Sequence, residues 1–156
     1  MPWSDIYNLA DYGSAPAAQG VYVIGVYTGS ATLPAVGTPC EDRFLGYNFP
    51  KDLDEKYVGR ATKKKTLRAR ISVHARGNGN THIRDHFVEH GPRSLAFIYT
   101  QAVDLNPILE HLLLTGTDLF PWNKRRDEGS VLDAYGKKIY DGMPEHQRKQ
   151  FENGPY

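Results

Sequence analysis

Gly20-Val21-Tyr22-Val23-Ile24-Gly25-Val26-Tyr27, followed after a long polar interval by Lys56-Tyr57-Val58-Gly59-Arg60-Ala61, decides how the chain folds. The first segment is β-branched and aromatic and predicts a strand over residues 21–27. The second predicts a short strand over 56–60. Between them, residues 28–55 are rich in Gly, Pro, Ser, Thr and Asp, which predicts a loop or excursion. Beyond the second strand, Leu67, Ile71 and Val73 or His74 recur at helical intervals, predicting a helix over 63–76. Gly77-Asn78-Gly79-Asn80 predicts a turn, with Thr81 capping a helix over 82–90. A third strand is expected over 94–100. Asn106 as N-cap and Pro107 in the first turn open a further helix carrying Ile108, Leu109, Leu112 and Leu113, ending near Gly116. Residues 117–129 are expected as a loop. The tail over 131–151 is expected to hold one or two short helices, split at Gly142-Met143-Pro144. Residues 1–19 are expected as an irregular lead-in.

This order predicts an α/β protein of the α+β sandwich kind: a small, three-stranded, mainly antiparallel sheet flanked by helices, with a long insertion between the first two strands. The 156 residues suit one domain over 1–156, with a core at about 20–125, the insertion at about 28–55 and a helical tail at about 130–156. No apolar run approaches the roughly 18 residues of a membrane span. The N-terminal Met-Pro-Trp-Ser-Asp lacks the features of a signal peptide, and a lone Cys40 makes no internal disulfide framework. A cytoplasm is the expected working compartment, including that of another cell into which the chain is delivered.

The net charge of +1 hides an asymmetry. Residues 1–55 carry two basic and seven acidic side chains. Residues 56–76 carry eight basic ones (Lys56, Arg60, Lys63, Lys64, Lys65, Arg68, Arg70 and Arg76) and no acid. Such a block in a nearly neutral protein marks a local anion site, with phosphate the natural partner.

Taken in order, the motifs resemble those of the GIY-YIG nuclease superfamily. Gly20-Val21-Tyr22 is similar to its first tripeptide and Tyr57-Val58-Gly59 to its second, with Arg60-Ala61 continuing as usual. Leu67-Arg68-Ala69-Arg70 resembles the family's Leu-x-x-Arg, making Arg70 the candidate catalytic arginine. His74 follows one helical turn later, where several members carry a histidine. Glu110 resembles the single metal-binding carboxylate, and Asn123 in Pro121-Trp122-Asn123-Lys124 the asparagine that closes the set. The resemblance covers roughly residues 20–125.

These residue types suit phosphodiester hydrolysis. One carboxylate, Glu110, can hold one Mg²⁺ (or Mn²⁺), with water and substrate phosphate completing the shell. The cation would act as a Lewis acid on the leaving 3′ oxygen. Arg70 offers a fixed fork of donors to phosphate oxygens. The resemblance implies a tyrosine as general base. Tyr22 is the first choice, with His74 accepting its proton and Tyr57 holding water or phosphate; exchanged tyrosine roles stay open. Tyr27, in a second Gly-Val-Tyr, points to the other face of a strand from Tyr22 and runs straight into Thr28-Gly29. Arg60, Lys63, Lys64, Lys65, Arg68, Arg76 and His82 are the candidate DNA contacts. His82, His86 and His90 share a helical face, which suits either zinc chelation or a polar side opposite Ile83 and Phe87.

The insertion between the tripeptides is longer than in the shortest family members. It carries Cys40, Arg43, Phe44, Tyr47 and Phe49, and its acids outnumber its bases. It is either a DNA-contacting loop or a lid or partner-binding surface. No second recognition domain is evident. The expected activity is therefore that of a metal-dependent endonuclease acting on DNA with low sequence specificity, and one setting that suits it is an interbacterial toxin with an immunity protein as partner. The alternatives are a small site-specific restriction enzyme, an RNA nuclease, and a noncatalytic nucleic-acid-binding module.

Overall fold

The computed structural model describes residues 3–29, 50, 52–101, 120–123, 142, 144 and 145. The expected helix opening at Asn106-Pro107, Glu110 within it, most of the insertion and most of the tail lie outside the described residues. The described part is an α+β arrangement: an open antiparallel sheet of four strands with helices packed on it. The strands are β1 (Tyr7–Asn8), β2 (Gly20–Tyr27), β3 (Leu53–Ala61) and β4 (Leu95–Thr100), in the spatial order β1-β4-β2-β3. Two helices, α1 (Leu67–Ala75) and α2 (Thr81–His90), stand between β3 and β4 in the chain.

The expected three strands are thus four. The extra one, β1, lies in the supposedly irregular lead-in, where Tyr7 and Asn8 pair with Phe97 and Ala96. A two-residue strand has no alternation to read; the free edge of β4 makes it one. The lead-in continues as a 3₁₀ helix over Leu9–Ser14, started by Asn8, whose side chain accepts from the Ala10 N–H. The second strand is also longer than expected, beginning at Leu53 rather than Lys56.

β2 is central, which explains its unbroken apolar character: it is bonded on both sides and buried on both faces. Tyr22 lies opposite Gly59 of β3 and Tyr99 of β4; Ile24 lies opposite Tyr57 and Phe97. Cross-strand partners share a face. On that face Tyr22, Ile24, Leu95 and Phe97 pack with Leu67 and Ile71 of α1, Ile83 of α2, Leu9 and Ala15. Each fully buried aliphatic or phenyl side chain contributes roughly 1.5–3 kcal/mol. Val21, Val23, Val58 and Ile98, on the opposite face, are buried as well. A bulge between Ile24 and Gly25 leaves Lys56 as the extra residue of β3.

α1 begins at Leu67, not Lys63. Thr66 is its N-cap, accepting from the Ala69 N–H at 3.4 Å. The next two orphan donors, Leu67 N–H and Arg68 N–H, go to the carbonyls of Ala18 and Pro16 at 2.8 and 3.2 Å. Lys63, Lys64 and Lys65 therefore sit in a bend ahead of the helix, where Lys65 N–H donates to Thr62 Oγ1 at 3.1 Å. α2 is capped by Asn80 rather than Thr81: the Asn80 Oδ1 accepts from the His82 and Ile83 N–H groups at 2.9 and 3.3 Å. No helix among the described residues is long and apolar enough to cross a membrane.

Candidate active site

Strand alternation and helical spacing bring four predicted residues together. Tyr22 and Tyr57 project from β2 and β3 on the face that packs against α1, with ring centroids 6.2 Å apart. Arg70 and His74 stand one turn apart on α1, so they share a side of the helix. The His74 ring lies 4.9 Å from that of Tyr57 and 5.8 Å from that of Tyr22. The Tyr22 hydroxyl is 3.0 Å from His74 Nε2 and is also hydrogen-bonded to Arg70 and Tyr57.

The glycines of the two tripeptides have packing reasons. A Cβ on Gly59 would run into the Cζ and Oη atoms of Tyr22; the phenol ring crosses β3 in the space a side chain would fill. A Cβ on Gly20 would meet the Thr100 carbonyl and Leu67 Cδ1. Gly-Val-Tyr and Tyr-Val-Gly thus form one interlocked unit, with Tyr22 as the bolt.

Tyr22 has no exposed surface, whereas Tyr57 is half-buried. Burial pushes the Tyr22 hydroxyl well above the usual tyrosine range; Tyr57 alongside adds to this and Arg70 opposes it. Burial thus favours the protonated form of the Tyr22 phenol. Tyr27 is half-buried at the strand end, beside Gly29, and takes no part in the cluster.

His74 is buried, and its pKa is lowered to about 4, first by burial and then by the Arg70 charge. Its ring is neutral at physiological pH. Nδ1 accepts the Asn80 N–H at 3.2 Å, so the single ring proton sits on Nε2 and faces Tyr22. In this arrangement the nitrogen facing the phenol carries the ring proton, so the expected transfer of the Tyr22 proton to His74 would require the other tautomer. Gly79 makes the close approach of this turn possible, because a Cβ there would strike Nδ1. Neither Gly79 nor Asn80 stood out as a site residue in the sequence beyond its turn composition. A backbone N–H has no side-chain signature.

A cavity of about 350 Å³ adjoins the cluster, lined by Lys65, Ala69, Arg70, Val73 and Gly79. Two cations at its wall make it suitable for an anion. The other basic residues are dispersed. Arg60, opposite Val21, stands on the other face of the sheet from the tyrosines. Lys56 pairs with Asp54 at 2.9 Å. Arg68 donates from Nε to the Ala15 carbonyl at 2.8 Å, fastening the lead-in to α1. Arg76 donates to Ser72 Oγ at 2.9 Å, and Lys63 and Lys64 are exposed.

Asn123 does not reach the cluster through its amide. Its Oδ1 accepts the Val58 N–H and its Nδ2 donates to the Val58 carbonyl, both at 2.9 Å. With the Trp122 N–H on the Lys56 carbonyl at 2.9 Å, residues 122 and 123 clasp the outer edge of β3. Asn80 Nδ2 donates to the Trp122 carbonyl at 2.8 Å, tying the clasp to α2. The His82 ring stacks on Trp122 with centroids 6.3 Å apart, His86 lies 5.6 Å from the same indole, and His86 and His90 lie 4.5 Å apart. Among the described residues no group of three or more His, Cys, Asp or Glu side chains is arranged to hold a metal ion. The predicted metal ligand, Glu110, lies outside the described residues.

No family model, no curated protein and no solved structure matches this chain.

Proposed function

We propose that this chain is a metal-dependent endonuclease of the GIY-YIG type, hydrolysing phosphodiester bonds of DNA with low sequence specificity. The observation that carries the reading is the meeting of Tyr22, Tyr57, Arg70 and His74, drawn from two strands and a helix, beside a cavity walled by Arg70 and Lys65. In this reading the cavity receives the scissile phosphate, and Arg70 counters the charge of the pentacoordinate transition state. The phenol cluster handles the proton of the attacking water. One Mg²⁺ or Mn²⁺ on Glu110 would supply Lewis acidity at the leaving oxygen. A toxin delivered into a target cell's cytoplasm and held in check by an immunity protein is the biological setting this reading favours.

Supercoiled plasmid incubated with the protein and Mg²⁺ tests it. Smeared digestion is expected, abolished by EDTA and reduced about 100-fold or more in both Arg70→Ala and Glu110→Ala. Discrete bands would instead indicate a restriction enzyme. Cleavage that survives EDTA or both substitutions would end the proposal, and salt-sensitive binding without cleavage would leave a binding module.

A further inference from the structure

The Tyr22 hydroxyl sits at a junction whose hydrogen-bond count closes in only one way. A phenol oxygen has two acceptor positions and one proton to give. His74 Nε2–H takes one acceptor position, because the Asn80 amide holds the other ring nitrogen in its unprotonated form. Arg70, which only donates, takes the second. The proton of Tyr22 is left with Tyr57 as its partner. Each member of the series is fixed by the one before it, and the first is a main-chain N–H that cannot reverse.

We infer that Asn80 and His74 are positioning residues that orient a one-way chain, Asn80 N–H to His74, His74 to Tyr22 and Tyr22 to Tyr57, so that Tyr57 ends it as an oxygen receiving a hydrogen bond. The Gly79-Asn80 turn is the orienting device. Gly79 lacks the Cβ that would push the imidazole away, and the Asn80 side chain holds the turn from both sides, capping α2 through Oδ1 and gripping the Trp122 carbonyl through Nδ2. A donated hydrogen bond favours the ionised form of its acceptor. The chain therefore prepares Tyr57, the half-buried phenol, to take up a proton, while Tyr22 transmits polarisation without leaving the core. In chemical terms, Tyr57 would enter the step as the phenolate, its own proton already given up to solvent; Tyr57 Oη takes one proton from the attacking water as the new oxygen–phosphorus bond forms and the bond to the leaving 3′ oxygen breaks, and Tyr57 ends as a neutral phenol with no proton passed to His74. This deepens the proposed function and rests on it for the reaction, though not for the direction of the chain.

The direction is measurable without any activity. In full-length protein labelled with ¹⁵N-histidine, long-range proton–nitrogen correlation spectra distinguish the two neutral tautomers, and His74→Gln identifies the signal. The expected result at about pH 6–8 is one Nε2-protonated pattern for His74 that does not change across the range. An Nδ1-protonated or averaged pattern would overturn the inference. Gly79→Ala is expected to disturb that pattern, while Gly13→Ala, at a site with open space, leaves it intact. In the plasmid assay, Tyr57→Phe should lose about 100-fold or more in rate and Tyr22→Phe only about 10-fold. A dead Tyr22→Phe beside an active Tyr57→Phe would refute the assignment of Tyr57. A wild-type protein that cuts nothing would bring down the proposed function, and the spectra would still decide the direction.

Discussion

Gly59 and Tyr22 depend on each other: the phenol of Tyr22 occupies the space that a side chain at Gly59 would need. Adding one methyl at Gly59 sets it against the ring and hydroxyl of a phenol enclosed on every side. Overpacking of this kind costs typically 1–3 kcal/mol. Gly59→Ala is therefore expected to lower the stability measured by urea unfolding by about 2 kcal/mol, with Gly13→Ala as a near-neutral control; equal effects would deny the interlock. His74 contributes a pH dependence. Its folded pKa is about 4 against roughly 6.5 in the unfolded chain. Between those values the unfolded chain binds a proton that the folded chain refuses. The contribution of His74 is complete above about pH 6.5 and is lost as the pH falls toward about 4. The stability difference between wild type and His74→Gln should accordingly shrink by about 2–3 kcal/mol between about pH 7.5 and 4.5 in urea titrations. A difference that stays constant would show that His74 titrates normally.

At the scale of elements, the clasp of Trp122 and Asn123 covers an edge of β3 that no strand among the described residues pairs with. Asn123→Ala removes both bonds to Val58, whose side chain and peptide are well inside the fold. A loss of about 1–2 kcal/mol is expected, with faster hydrogen exchange at the Val58 amide. Unchanged protection there would mean the clasp is dispensable. Elements that follow a local rule were legible in the sequence: β2 and β4 from apolar β-branched runs, α2 from the turn before it though not its cap, which is Asn80 and not Thr81, and Arg70 and His74 from helical spacing. Elements defined by a partner were not. β1 is two residues long and exists because β4 has an edge to offer. Lys63 to Lys65 favour a helix by propensity, yet the start of α1 is set by Thr66 and by carbonyls from Pro16 and Ala18. Asn123 carried a motif signal, but its engagement with Val58 comes from a segment distant in sequence by 65 positions.

For the molecule as a whole, the site is a product of long-range closure. Tyr22 and His74 are 52 positions apart, and Asn80 and Trp122 are 42 apart. The identities of the cluster were readable one motif at a time. The burial of Tyr22, the protonated nitrogen of His74 and the dispersal of Arg60 and Arg68 were not, because each depends on what packs against it from elsewhere. Such contacts form late and slowly compared with local ones. The clasp on β3 has a further meaning at this scale. Beyond β3 the sheet, among the described strands, has no neighbour, and an uncovered edge there would present the Lys56 carbonyl and both polar groups of Val58 to any passing strand. Bare edges of that kind template self-association. By occupying those groups with its own main chain and one amide side chain, the protein denies a second copy the place where it would add, so the same residues that brace the site also help keep the chains apart at high concentration.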